Sequence, residues 1–249
     1  MPRTQGARRN RAAKAGEVPR TPFSPERFVG AVSAVLTPIA DPELRPWMRA
    51  YMKNQFDFLG IRTPDRRAAV ADLIRAQKNA SPADLLRSAR LLWALPEREY
   101  QFVAVDLLGT HVRKLTPKHL PALFALVRKK SWWDTVDSLA GVIGRVILNA
   151  RADEADIQCE MDKALQSPNL WVRRVAILHQ LGWRNQTDAQ RLFTYALSSA
   201  HEKDFFIRKA IGWALRDYAR CAPGEVRAFV HKNRGRLSPL TAREATKHL

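Results

Sequence analysis

The chain has 249 residues, and its 42 lysine and arginine residues outnumber 24 acidic residues to give a formal net charge of +18. This length allows one large domain with a buried core, and the charge favours a polyanionic partner, with nucleic acid first and an acidic membrane surface second. No apolar run is long enough to span a bilayer, and two separated cysteines indicate neither a disulfide framework nor a zinc site, so we expect a reducing, cytoplasmic setting.

The first twenty residues, MPRTQGARRNRAAKAGEVPR, contain six basic residues, one acidic residue and almost no apolar side chains. This composition predicts a disordered basic arm over residues 1–20. A transit peptide is the alternative, although the arm lacks the serines and the apolar face of such a segment. The arm carries +5 of the net charge of +18, which leaves +13 on residues 21–249, so the predicted folded domain is itself basic.

Hydroxyl residues followed by proline recur ahead of apolar segments, which is typical of helices with a side-chain cap and a proline in the first turn. The predicted starts are Ser24-Pro25, Thr63-Pro64, Ser81-Pro82, Thr116-Pro117, Ser167-Pro168 and Ser238-Pro239. Between them, apolar residues recur at steps of three and four, and neither two-residue alternation nor a hairpin signal occurs. The pattern predicts an all-α chain with about a dozen helices.

The spacing of the predicted starts indicates helix pairs of about 35 to 45 residues, a period that HEAT-like repeats share. We infer the repeats from the length of the elements, because no consensus recurs along the sequence. Stacked helix pairs form a curved solenoid, and here we expect a single domain over residues 21–249 with a basic concave face as its binding surface. A globular helical bundle is the alternative architecture.

The stretch KKSWWDTVDSL, residues 129–139, sets two tryptophans beside two carboxylates. We expect Ser131 to cap a helix, with Asp134 serving as part of a capping box. Asp137 lies beyond capping reach and follows Trp133 by four residues, so the two share a helix face. Asp137 is open to two interpretations, a functional carboxylate or a structural ion pair with an arginine on the next helix. The alternative for the two adjacent tryptophans is a role in the core.

Two later segments carry basic residues in places that core packing does not require. Arg173 and Arg174 fall in the first turns of a predicted helix, where a cation opposes the helix dipole, although solvated arginines are the alternative. In the segment FFIRKAIGWALRDYARC, four residues at steps of four, three and four lie beside the apolar face: Lys209, Trp213, Arg216 and Arg220. A tryptophan within a basic stripe is typical of a nucleic-acid contact, because cations attract phosphates and the ring stacks on a base.

Six segments together resemble the AlkD-like alkylpurine DNA glycosylases, from about residue 45 to the C-terminus. They are RAYMKNQFDFLGIRTPDRR, LPEREYQ, KKSWWDTVDSL, SPNLWVRRVAILHQL, DFFIRKAIGWALRDYA and LSPLTAREATKHL. The resemblance implies a fold of HEAT-like repeats that cradles duplex DNA and contacts the lesion without a deep base pocket.

The resemblance also implies roles for individual residues. Asp137 corresponds to the catalytic carboxylate of the family, and Trp133 and Trp213 to the aromatic pair that brackets the lesion. Tyr51 and Arg174 correspond to DNA-contacting residues. The chain departs from the family pattern at Arg62, where glutamine is expected near the lesion, and this puts the lesion preference in doubt.

These observations predict a monofunctional glycosylase that excises cationic N3- and N7-alkylated purines from double-stranded DNA. Asp137, Trp133 and Trp213 are its candidate catalytic residues. The candidate DNA-binding residues are Tyr51, Arg62, Arg173, Arg174, Lys209, Arg216 and Arg220. We expect a monomer near the nucleoid, with no metal, cofactor or membrane contact. The alternatives are a DNA-binding helical scaffold without catalysis and a solenoid that binds other proteins.

Overall fold

The computed structural model describes residues 24–151 and 157–249, and these ranges contain thirteen α-helices and no β-strand. The arm predicted at residues 1–20 lies outside the described residues. The helices are α1 Pro25–Leu36, α2 Leu44–Tyr51, α3 Thr63–Ala76, α4 Pro82–Ala94, α5 Arg98–Thr110, α6 Leu120–Val127, α7 Trp133–Ala150, α8 Cys159–Leu165, α9 Leu170–Leu178, α10 Ala189–Ser198, α11 Phe205–Ala219, α12 Pro223–Lys232 and α13 Pro239–Ala245. The prediction of an all-α chain is confirmed.

The helices stack as a series of pairs. Each even-numbered helix from α4 onward packs against the odd-numbered helix that follows it, and α1 packs against α3 and α4 at the beginning of the series. The odd-numbered helices from α3 to α13 also pack against one another in order, so they form a continuous row. Within the described ranges, helices distant in sequence make no extensive contact, as expected of stacked repeats and not of a globular bundle.

Three of the six predicted helix starts have the expected side-chain cap. Ser24, Ser81 and Ser238 each accept a hydrogen bond from an amide of the first turn, of α1, α4 and α13 respectively. Thr116 caps a short 3-10 turn ahead of α6, whereas Thr63 lies inside the first turn of α3. The prediction at Ser167 is wrong, because α9 begins two residues later and the side chain of Asn169 caps it.

Close approach of helices in the odd-numbered row requires glycine at two positions. A Cβ atom on Gly144 of α7 would collide with the backbone carbonyl group of His179, which follows α9. A Cβ atom on Gly212 of α11 would collide with the side chain of Glu244 on α13. The close approach of these two glycines to the neighbouring helix therefore sets the separation of α7 from α9 and that of α11 from α13.

Charged pairs join successive helices of the odd-numbered row. The pairs are Arg66–Asp106 between α3 and α5, Arg98–Asp134 between α5 and α7, Asp137–Arg174 between α7 and α9, and Lys209–Glu244 and Arg216–Glu244 between α11 and α13. The first four of these pairs connect residues that are 40, 36, 37 and 35 positions apart in the sequence. These separations match the predicted repeat length.

The loop between α2 and α3 is held in place by Glu99 of α5. The buried carboxylate of Glu99 accepts hydrogen bonds from the amides of Leu59, Gly60 and Ile61 at 2.9, 3.0 and 3.1 Å. Gly60 has a φ of +89°, and a side chain there would collide with the backbone of Asp41. The segment FLGI therefore keeps one conformation, which fixes where α3 begins.

Candidate active site

Helix α7 places Trp133 and Asp137 one turn apart on the same side. The predicted cap at Ser131 is wrong, because α7 begins at Trp133 with no side-chain cap, and the hydroxyl of Ser131 donates to the carbonyl oxygen of Val127 at 2.6 Å. Trp133 is half-buried, and its ring meets the exposed ring of Tyr51 edge to face, with centroids 6.2 Å apart. Two aromatic residues singled out in the sequence thus lie in contact.

Asp134 has a structural partner that the capping interpretation did not include. Its carboxylate accepts the amide of Thr135 at 2.8 Å, but it also binds the guanidinium of Arg98 through bonds of 2.9 and 2.5 Å. Arg98 is fully buried, donates to the carbonyl oxygen of Lys130 and lies 3.8 Å from the centre of the Phe56 ring. The Asp134 side chain is only 6% exposed, so this pair fastens α5 to the start of α7.

Asp137 is bound by an arginine of the next helix in the row. Nε and Nη2 of Arg174 each donate to one oxygen of the Asp137 carboxylate at 2.7 Å, and Nη1 donates to the carbonyl oxygen of Phe206. The ion-pair interpretation of Asp137 is therefore correct as geometry. The side chain of Asp137 remains 16% exposed, whereas that of Arg174 is only 3% exposed. The clamp thus holds a carboxylate on a side chain that is still partly exposed.

The surroundings of Asp137 shift the pKa of its carboxyl group in opposite directions. Burial raises the pKa of its carboxyl group, the hydrogen bonds and charge of Arg174 lower the pKa, and the nearby charge of Asp134 raises it again. The result is a pKa above the ordinary value for aspartate, because removal from water has the largest effect. The group is therefore an ionisable carboxylate in a partly dry setting, which is typical of functional sites.

Trp213 of α11 completes the group of candidate catalytic residues. Its ring centre lies 5.7 Å from the guanidinium carbon of Arg174, and the ring is partly buried against the core. Because Arg174 binds Asp137, the three side chains meet where α7, α9 and α11 adjoin. Trp132, adjacent to Trp133, is half-buried and packs instead against Trp171 and Phe206, with ring centroids 5.7 and 5.3 Å away.

The basic stripe predicted on α11 is partly neutralised. Lys209 and Arg216 bind the two oxygens of Glu244 at 2.7 and 2.8 Å, and the three side chains are largely shielded from solvent. Arg220 at the end of α11 is exposed. The sequence interpretation missed Glu244, since it lies 35 residues from Lys209 and no local pattern links the two.

Arg173 and Arg174 both bind carboxylates: Arg174 is buried, so the solvated alternative is wrong for it, whereas the Arg173 side chain remains 21% exposed. Arg173 binds the carboxylate of Glu202 at 3.1 and 2.7 Å and donates to the carbonyl oxygen of Ser167 at 2.9 Å. Arg174 is buried, and its guanidinium binds and orients the Asp137 carboxylate. Direct DNA contact by either arginine stays a prediction. By contrast, Tyr51 and Arg62 are both exposed.

Two other features are absent from the described residues. Residues 24–151 and 157–249 contain no group of three or more histidine, cysteine or acidic side chains able to hold a metal ion. Within the same ranges, no helix has the length and apolar character that crossing a bilayer requires.

Comparison with known proteins agrees with the geometry. The family model described as DNA alkylation repair enzyme matches residues 32–249. A predicted DNA alkylation repair enzyme from Enterococcus faecalis has a similar structure, with 32% identity and a TM-score of 0.77 over 84% of this chain and 96% of that chain. A comparison with curated proteins gives no significant match.

Two further structures share the fold at lower identity. AlkD2 from Streptococcus mutans is 17% identical, with a TM-score of 0.62 over 91% of this chain and 99% of that chain. The protein smu.31 from Streptococcus mutans is also 17% identical, with a TM-score of 0.59 over 89% of this chain and 99% of that chain. The match to the family model and the Enterococcus structure establish more than the fold: the chain belongs to the DNA alkylation repair enzyme family.

Proposed function

We propose that the chain is a monofunctional DNA glycosylase that removes cationic N3- and N7-alkylated purines from duplex DNA. The observation that carries the proposal is the clamped carboxylate of the partly exposed Asp137, which lies one turn from Trp133 and shares the partner Arg174 with Trp213. Membership of the DNA alkylation repair family supports the substrate class.

A single carboxylate is enough for this chemistry. Hydrolysis of an ordinary glycosidic bond uses two carboxyl groups, one of which protonates the leaving group. A purine alkylated at N3 or N7 already carries a positive charge, so it leaves as a neutral base with the electron pair of the broken C–N bond. Asp137 then stabilises the positive charge that develops at the anomeric carbon and orients the water that adds there, and this water loses a proton to the surrounding solvent to give an abasic site.

Arg174 acts in this proposal as a positioning residue. It uses two of the roughly four acceptor positions of the Asp137 carboxylate, so oxygen lone pairs remain for the sugar or the attacking water. Its hydrogen bonds also favour the ionised form of Asp137, which is the form that stabilises a cation. The guanidinium therefore fixes the carboxylate without blocking it.

The tryptophans supply attraction for the charged base. A cation over an indole face is stabilised by about 0.5–2 kcal/mol, and Trp133 and Trp213 are both only partly buried. A lyase mechanism would instead need an unprotonated lysine as nucleophile. Lys209, one turn before Trp213 on α11, is held by Glu244 at 2.7 Å, so it is not free to attack the sugar. This supports a hydrolytic reaction in which water is the nucleophile.

The test is release of 7-methylguanine from alkylated duplex DNA by the wild type, Asp137→Asn and the matched control Asp134→Asn. Each variant removes a negative charge opposite an arginine of the neighbouring helix, but only Asp137 has appreciable exposure. We expect the single-turnover rate to fall by about 100- to 1000-fold in Asp137→Asn, as when a preorganised electrostatic group is removed, and to stay near wild type in Asp134→Asn.

Rates are compared below the melting temperatures of all three proteins, so that unfolding of a variant is not mistaken for a loss of catalysis. Equal release by the wild type and Asp137→Asn would end the catalytic assignment. The alternative function, a DNA-binding scaffold without catalysis, is favoured by one observation, the engagement of both Asp137 oxygens by Arg174. It predicts that the wild type binds alkylated duplex and releases no base.

A further inference from the structure

Helix α2 contributes nothing to the core. Among the described α-helices it alone has no buried residue, and it packs extensively against none of them. Polar contacts hold it instead, since Nε of Arg45 donates to the carbonyl oxygen of Leu59 at 3.2 Å and Arg49 forms a salt bridge of 3.1 Å with Asp57. The folding of the domain therefore does not account for the exposed aromatic side chains of α2.

Two of those side chains are large aromatic rings that face solvent. Trp47 and Tyr51 are 65% and 58% exposed, and their rings stack with centroids 5.8 Å apart and planes inclined by 12°. Tyr51 in turn meets Trp133 edge to face. A run of three rings thus leads from the candidate active site to the outermost ring, Trp47. An exposed tryptophan at such a position indicates a binding surface.

Cations on α2 and on the loop that follows it suit a nucleic acid. Arg49 of α2 is exposed and forms a surface salt bridge with Asp57, and Arg62 is exposed at the end of the loop that Glu99 holds. Exposed cations attract phosphates, and flat aromatic faces accept the face of a base of any sequence. The pairing of cations with stacked rings therefore favours DNA as the occupant of this surface.

We propose that Trp47 and Tyr51 form a stacking platform for an unpaired base at the damaged position of the duplex. The proposal rests on the proposed function, because it places the platform beside the lesion at Trp133. In intact duplex DNA both faces of each base are covered by neighbours, whereas a lesion or a missing partner lowers the cost of opening a base. The platform would therefore favour duplexes that are already weakened, before any bond is broken.

The test is binding of a fluorescein-labelled duplex with a stable abasic analogue opposite cytosine, compared with the same duplex left intact. Wild type is compared with Trp47→Ala, Trp47→Phe and the matched control Ile39→Ala, another exposed apolar residue that lies just before α2. We expect Trp47→Ala to weaken binding of the abasic duplex by about 5- to 100-fold, the usual effect of losing one base–aromatic stack. Trp47→Phe should keep most of the affinity, and Ile39→Ala should bind as wild type does.

The preference for the abasic duplex over the intact duplex decides whether the unpaired-base proposal stands. Trp47→Ala should lose more affinity for the abasic duplex than for the intact one, and equal loss on both would overturn the unpaired-base proposal. Unchanged binding by Trp47→Ala, or no preference of the wild type for the abasic duplex, would overturn it as well. Binding needs no bond cleavage, so the result is independent of the excision assay. Excision with unchanged binding by Trp47→Ala would reject the platform and keep the proposed glycosylase.

Discussion

Helix α7 carries two carboxylates three residues apart, and each is bound by an arginine from a different neighbouring helix. Arg98 of α5 binds Asp134, and Arg174 of α9 binds Asp137, each through two donor nitrogens. The two pairs differ in exposure, because the Asp134 side chain is 6% exposed and that of Asp137 is 16% exposed. An ion pair therefore does not by itself separate a structural carboxylate from a functional one, and the two side chains here differ in their exposed fraction.

The largest expected effect lies at the enclosed pair. Asp134→Asn leaves the buried guanidinium of Arg98 without its counter-charge, and removing one partner of a buried pair lowers the free energy of unfolding by about 3–5 kcal/mol. We expect a smaller loss for Asp137→Asn, because the Asp137 side chain is the more exposed of the two. Urea denaturation of both variants measures the two losses. A greater loss of stability in Asp137→Asn would reverse the structural ranking of the pairs.

The next effect tests the geometry of the Asp137 clamp. Arg174→Lys keeps the positive charge but loses the two-pronged grip, because an ammonium group cannot match the planar fork of arginine. A carboxylate displaced by about 1 Å loses on the order of 100-fold in rate, so we expect 7-methylguanine release to fall by about that factor. Arg98→Lys is the matched control and should affect stability without changing the rate per folded molecule. Full activity in Arg174→Lys would show that charge alone is sufficient.

The smallest effect is a displaced pH dependence. The carboxyl of Asp137 has a pKa above its ordinary value because of burial, and catalysis needs the ionised form. The excision rate should therefore decline on acidification at a higher pH than an unperturbed aspartate would give. In Arg174→Lys the hydrogen bonds that oppose the rise are weakened, so the decline should begin at a still higher pH. Single-turnover rates, corrected for spontaneous depurination in acid, measure both, and a decline at the ordinary pKa of aspartate would contradict the argument.

The sequence predicted the helical class well, because its signals are local. Ser24, Ser81 and Ser238 mark helix starts through bonds that span only a few residues. The partners of charged side chains were harder to predict. Arg98 and its partner Asp134 are 36 positions apart in the sequence, and Arg174 and Asp137 are 37 positions apart. One repeat length separates these partners, yet the repeats share no consensus that would align them. Pairing across repeats could therefore be proposed as a class but not assigned to individual residues.

The loop between α2 and α3 illustrates the same limit. The segment LPEREYQ is part of the family resemblance, and two of its three charged residues, Arg98 and Glu99, hold parts of the structure together from within. Glu99 binds the backbone of residues 59–61, which leaves no trace in the side-chain pattern of that loop. The exposure of Trp47 was likewise hidden, because an isolated tryptophan in a short helix is as easily assigned to the core.

Gly144 sets a constraint on how this domain can diverge. Its backbone touches the end of α9 two turns beyond Asp137, so even a methyl group there would push the two helices apart. Since Arg174 extends from α9 to reach α7, a wedge at position 144 would lengthen the span that the guanidinium must cross. Homologous chains can therefore vary their outer helices more freely than position 144. A residue larger than glycine there would widen the gap between α7 and α9 behind the Asp137 carboxylate.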